Sequence, residues 1–139
     1  MKNILRAAVG CTVVALSATQ VLAGDSGYSY ELGKKFPAAM KAYQKLLPRS
    51  FKKLSWAYRL DGVGDPVQHQ TIGTNDYLSV WSCKPHDCAN NKLAILVRPD
   101  GKRAVVDISI TNAQGNTADQ LLGNPNPAEI ALLKARLNP

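Results

Sequence analysis

The chain has 139 residues and a formal charge of +7, enough for one domain and too short to hold two comfortably. No run of Lys or Arg tracks a strand or helix as a phosphate groove requires, so nucleic acid is not an expected partner. A solvated basic surface is the plainer reading of the charge, with an anionic envelope component as the other partner it suggests.

Residues 1–23 read as a secretory signal peptide. Lys2 and Arg6 form the positive start, Ala7 to Leu16 are mostly apolar, and Val21-Leu22-Ala23 offer a cleavage site. A membrane span needs roughly 20 consecutive apolar residues, and Ser17, Thr19 and Gln20 interrupt this one. Cys11 lies too early for a lipoprotein cysteine, so no stable membrane anchor is expected. The expected mature domain is 24–139. Lys2 and Arg6 leave with the leader, taking the charge from +7 to +5, and Cys83 and Cys88 remain as the two cysteines. An even number at short range suits an oxidising compartment, the periplasm in this reading.

A polar lead-in, Asp25 to Gly33, precedes a helix that should begin near Pro37, with Phe36, Met40, Tyr43 and Leu47 on one stripe. Pro48 ends it. A second short segment, Ser50 to Tyr58, puts Phe51, Leu54 and Tyr58 on one side, with Trp56 as its anchor to the core. Past the turn residues Asp61 to Pro66 the period changes to two. Strands are predicted over Val67–Ile72, Tyr77–Cys83, Lys92–Arg98 and Arg103–Thr111, joined by turns at Gly73–Asp76 and Pro99–Lys102. Asn112 to Gly123 reads as a polar loop with a helical turn. Asn126, Pro127 and Glu129 then make a capping-box-like start to a last helix carrying Ile130, Leu133 and Leu137. The expected fold is α+β: an antiparallel β-sheet meander with helices packed on one face.

Catalytic machinery is sparse. His69 and His86 are the two histidines, and His69 sits mid-strand as an ordinary sheet-surface residue would. Asp61, Asp65, Asp76 and Asp100 all fall in predicted turns, where Asp belongs for backbone reasons. No serine has a nucleophile-elbow context, and no glycine loop suits a phosphate. An enzyme is therefore not expected, and no cofactor is implied.

The segment Cys83-Lys84-Pro85-His86-Asp87-Cys88 stands apart. It admits four readings: a Cys2His2 metal site with His69, a redox dithiol, a structural cystine, or a recognition loop. The C-x4-C spacing counts against the metal knuckle and the redox motif. A cystine here would add roughly 2 kcal/mol through chain entropy and would force four polar residues outward. Lys84 and a protonated His86 can donate, Asp87 can accept, and Pro85 stiffens the tip. Such a tip suits a narrow cleft that contains acids.

Those six residues match in full the C-K-P-H-D-C loop of the Ivy family, the periplasmic inhibitors of vertebrate (C-type) lysozyme in Gram-negative bacteria, and the chain resembles that family. Leu54-Ser55-Trp56 and the stretch Val67 to Tyr77 are similar to its pattern as well, so the likeness covers about the middle third. The resemblance implies a sheet with packed helices and a protruding loop closed by Cys83 and Cys88. It implies that this loop enters the lysozyme cleft, with the residue matched by His86 hydrogen-bonding the two catalytic carboxylates, Lys84 and Asp87 flanking, and Pro85 limiting the ordering cost. Lytic transglycosylases are a further class of target under the same resemblance, and a homodimer is a state that family members can adopt. C-type lysozymes are strongly basic, and so is this chain, so weak electrostatic steering is expected. From a different class, the rival reading is a periplasmic cell-wall or carbohydrate-binding module whose cystine is structural.

Overall fold

A computed structural model describes residues 26–138. The expected signal peptide, 1–23, lies outside the described residues. Among those described, no helix is long and apolar enough to cross a membrane.

The lead-in is more ordered than its composition suggests: a 3-10 turn, Ser29–Glu31, runs into a short helix α1, Leu32–Lys35. Leu32 drops fully into the core and explains the turn. Helix α2, Pro37–Leu46, starts on the expected proline and stops one residue before Leu47, which is extended because Pro48 follows it. A 3-10 turn, Arg49–Lys53, and helix α3, Ser55–Tyr58, complete this layer. Met40, Tyr43, Leu47 and Phe51 are buried as their spacing predicts, and Trp56 anchors its segment, but Leu54, expected on the same side as Phe51, is exposed. The Tyr43 hydroxyl donates to the Ala57 carbonyl at 2.6 Å, which ties α2 to α3 and satisfies a polar group with no access to water.

Six antiparallel strands follow: β1 Val63–Gly64, β2 Gln68–Ile72, β3 Asn75–Cys83, β4 Asn91–Val97, β5 Ala104–Thr111 and β6 Thr117–Leu122. The nine-residue β3 is the spine. One flank pairs with β2 along its first half and with β1 at its last two residues, and the other flank pairs with β4. β5 and β6 extend the sheet from there. The register Val80↔Ile95↔Val106 aligns apolar side chains on one face.

The fold is the expected α+β meander, but the helices occupy both faces where one was expected. Leu78, Val80, Leu93, Ile95, Val97, Val106 and Ile108 meet α1, α2 and α3. The alternate residues Tyr77, Ala94, Leu96 and Val105 meet Leu133 and Leu137 of helix α4, Pro127–Leu137. Nearly unbroken apolar runs such as Leu93–Val97 are the mark of strands buried on two sides. β6 corrects the polar-loop reading of 112–123. It is an exposed edge strand whose ladder to β5, rather than any apolar alternation, defines it.

α4 is fastened at both ends. Asn126 and Glu129 form the reciprocal cap, each side chain accepting from the other's backbone N–H at 2.9 Å. The same Glu129 carboxylate, fully buried, accepts from Tyr77 Oη at 3.0 Å and from Arg103 Nε and Nη2 at 3.0 and 2.6 Å. Arg103 foremost holds that carboxyl below its usual range. At the other end Arg136 donates to Asp65 at 2.6 Å and to the Pro66 carbonyl at 3.2 Å. Between them lies a contrasting group: Asp107 is fully buried, neither of its oxygens has a hydrogen-bond partner, and Lys134 Nζ stands 3.7 Å off.

Two measurements test these contacts. Arg103→Ala strands Glu129 as an unpaired buried charge, and a loss of about 3 kcal/mol in denaturant unfolding is expected, the lower end for such pairs because Arg103 is a third exposed. Burial raises the Asp107 pKa, so the fold binds this proton more tightly than the unfolded chain does. Its stabilising share is therefore full below the usual carboxylate value of 3.8 and declines as pH rises through the raised value. Asp107→Asn should raise the melting temperature at pH 7 and have little effect at pH 3.

Candidate functional site

The β3–β4 connection carries the hexapeptide. Its base is set by the sheet: Cys83 is paired with Lys92, and one step on the Lys84 N–H still donates to the Asn91 carbonyl at 2.9 Å. The chain then leaves the ladder. Asp87 N–H donates to the Lys84 carbonyl at 3.0 Å, closing a tight turn with Pro85 and His86 at its two central positions. His86 has φ +63°, so the turn follows the type II pattern, proline second and a left-handed residue third. Histidine tolerates that region better than most residues, though at some cost in backbone energy. A disulfide joins Cys83, fully buried, to Cys88, with the two Cα atoms 4.9 Å apart.

Lys84, Pro85 and His86 are exposed at the tip. Asp87 turns inward. Its carboxylate accepts from Asn91 Nδ2 at 2.6 Å, Asn90 Nδ2 at 2.8 Å and Lys84 Nζ at 3.3 Å. Its carbonyl accepts from the N–H groups of Asn90 and Asn91. The hydrogen bond from Asn90, helped by those from Lys84 and Asn91, holds the carboxyl below its usual range. The acid is thus an internal clamp, and the loop presents a cation and an imidazole to solvent.

Residues outside the hexapeptide support it: Asn90, Asn91 and Gly62 from stretches that read as loop or turn, and Ser82 and Thr111 from predicted strands. Asn90 and Asn91 supply the clamp's donors, and Thr111 N–H donates to the Asn90 carbonyl at 2.8 Å, tying the loop's return limb to β5. Gly62 lies against the carbonyl of Cys83 and the side chain of Trp56, where a Cβ would collide. Ser82 Oγ donates to the Trp56 carbonyl at 3.3 Å beneath the same point. A glycine just before a two-residue edge strand was the available signal, and it reads equally well as a turn.

His69 is remote from this chemistry in bonding terms. It pairs with Leu78 inside β2–β3, and its Nε2 is hydrogen-bonded to Ser26 Oγ. With both thiols consumed in the cystine, the Cys2His2 reading has no thiolates to offer, and no group of three metal-binding side chains occurs among the described residues.

A sheet buried between two helix layers, ending in a cystine-closed polar finger, defines a small scaffold that presents one rigid loop. The family model "Inhibitor of vertebrate lysozyme (Ivy)" matches residues 38–138, and the chain belongs to the Ivy family. The match runs from the second residue of α2 to the end of α4, hexapeptide included. An uncharacterised protein of Yersinia pestis is 30% identical over 110 residues, covering 73% of this chain and 71% of that protein. Family membership makes lysozyme inhibition the general function and lysozyme the class of partner, which agrees with a role that is not catalytic.

The Asp87 clamp has a measurable consequence. A depressed folded pKa means that its contribution is present above the usual value of 3.8 and is lost as pH falls through the lowered one. The side-chain carboxyl carbon resonance of Asp87 in the oxidised protein should show its titration step below the usual value of 3.8. Asp87→Ala should speed hydrogen exchange at Asn90 and Asn91 at neutral pH, and the difference from the parent should shrink as pH falls through the lowered value. Unaltered exchange in that variant would leave the disulfide and turn as the sole restraints.

Proposed function

We propose that this protein is an exported, periplasmic inhibitor of C-type lysozyme that inserts the Cys83–Cys88 loop into the active-site cleft, with His86 between the two catalytic carboxylates. The observation that carries the reading is an exposed imidazole at the tip of a loop clamped by a disulfide, a closed turn and an inward carboxylate, in a chain of the Ivy family.

Retaining glycosidases hold their two carboxyl groups roughly 5 Å apart, one protonated as acid and one ionised. An imidazole, which donates from both ring nitrogens when protonated, can bridge that gap. It engages both groups and bars the sugar from them. Lys84 beside it adds a positive charge suited to an acidic cleft. Because the loop is already ordered, little conformational freedom is lost on insertion, so the few contacts at the tip keep more of their gross energy. Asp87 in this mechanism preorganises the finger, and its partly exposed carboxylate flanks the contact. The alternative targets, lytic transglycosylases, also work through a catalytic carboxyl and enter as a second arm of the test.

Purified mature, oxidised protein should inhibit a C-type lysozyme stoichiometrically in a turbidity assay on cell walls. His86→Asn is the informative variant, since asparagine accepts the left-handed backbone and removes only the imidazole. Its melting curve should match the parent while inhibition weakens by about 100-fold, the scale of a central interface residue. Reductant should weaken the parent as well. Full inhibition by the asparagine variant would take His86 out of the mechanism, and inhibition of a transglycosylase alone would move the target to the cell's own enzymes.

A further inference from the structure

The helical layer carries a second feature that the loop does not use. From Leu32 to Leu60 the chain has eight bases and no acid. In the fold this layer lines two adjoining grooves of about 470 and 340 Å³ that share Lys41 and Lys45 of α2. Lys52 and the half-buried ring of Tyr58 line the smaller groove, and Lys102, from the β4–β5 turn, lines the larger. Lys41 and Lys45 are one turn apart, about 6 Å along the axis.

No acid among the described residues forms an ion pair with Lys41, Lys45, Lys52 or Lys102. The acids that could do so are engaged elsewhere: Asp61 by Arg59, Asp65 by Arg136, Asp87 by Lys84, Asp107 by Lys134 and Glu129 by Arg103. Asp100, on the rim of the larger groove, is held by Arg98 at 2.8 Å. Lys41, Lys45 and Lys52 therefore line one continuous trough without an acid partner, and Lys102, which shares Asp100 with Arg98, stands on the rim of its larger part. Self-repulsion among them costs stability, and a bound polyanion would relieve it.

We propose that this trough binds an acidic polysaccharide, a linear chain with carboxylates along its length. Two aspects favour a glycan strand over a lipid surface. The cations line concave grooves that a chain can enter, and the smaller groove is also lined by the half-buried Tyr58 and by Gln44, whose Nε2 is held by the Tyr58 carbonyl at 3.0 Å and whose amide oxygen can accept from a sugar hydroxyl. A membrane-docking face would instead set apolar side chains protruding among its lysines. The proposal is independent of the loop and of its target.

The full mature protein is titrated with polygalacturonate, with neutral dextran, and with phosphatidylglycerol vesicles. Polygalacturonate should bind with an affinity that falls steeply with salt, and dextran should not bind. Lys41→Ala/Lys45→Ala should lose about tenfold or more, while Lys34→Ala/Lys53→Ala, which removes equal charge at residues that line neither groove, should stay within about twofold. Muramidase inhibition should be unchanged in both double variants. Absence of polygalacturonate binding, equal losses in the two variants, or tighter binding to the vesicles than to the polysaccharide would each overturn the assignment.

Discussion

Burial of β3, β4 and β5 on both faces is the constraint from which the rest of the molecule follows. Leu93, Ile95 and Val97 serve one helical layer, and Ala94 and Leu96 serve the other, so β4 has no polar side to slide toward. A one-residue slip would exchange the two faces and set α4's small, polar-rimmed contact against the larger core. Register is thereby fixed from both sides. That register brings Cys83 opposite Lys92 at the end of the ladder and sets where the connecting loop must begin.

Beyond that point apolar burial ends and hydrogen bonding takes over. The loop has no core of its own. Its shape rests on one carboxylate with three side-chain donors, one turn closed by a backbone hydrogen bond, and the cystine. These restraints share residues: Lys84 and Asp87 close the turn and also form the ion pair. The left-handed backbone at His86 persists because its neighbours on both sides are pinned. The supporting shell reaches further, through Thr111 of β5 and Gly62 before β1, so the finger is braced by the strands on either side of β3 and β4.

Charge is distributed on the same plan. Acids pair with cations at the joints of the fold, as Glu129 does with Arg103 and Asp65 with Arg136, and both joints secure α4. The layer on the opposite face holds bases without acids. The two faces of one sheet thus differ in charge balance: the joints of α4 pair acid with base, whereas the segment Leu32–Leu60 carries eight bases and no acid of its own. Asp107 is the exception, a buried carboxylate with a distant cation and no hydrogen bond.

The amino-acid sequence by itself determined the elements and the loop. Proline and asparagine positions marked the starts of α2 and α4, period-two runs marked β2 to β5, and an unusual hexapeptide marked the cystine-closed loop. These signals are local, since caps, turns and alternation depend on neighbours within a few residues. Only the tertiary structure decided which side each helix takes, because alternate strand residues that are all apolar carry no label for either layer. β6 was illegible for the opposite reason: an edge strand needs no apolar face when its backbone partner supplies the pairing. The inward turn of Asp87 and the meeting of Lys41, Lys45, Lys52 and Lys102 were likewise settled by the fold. Each depends on groups from separate segments, whose proximity no spacing along the chain encodes.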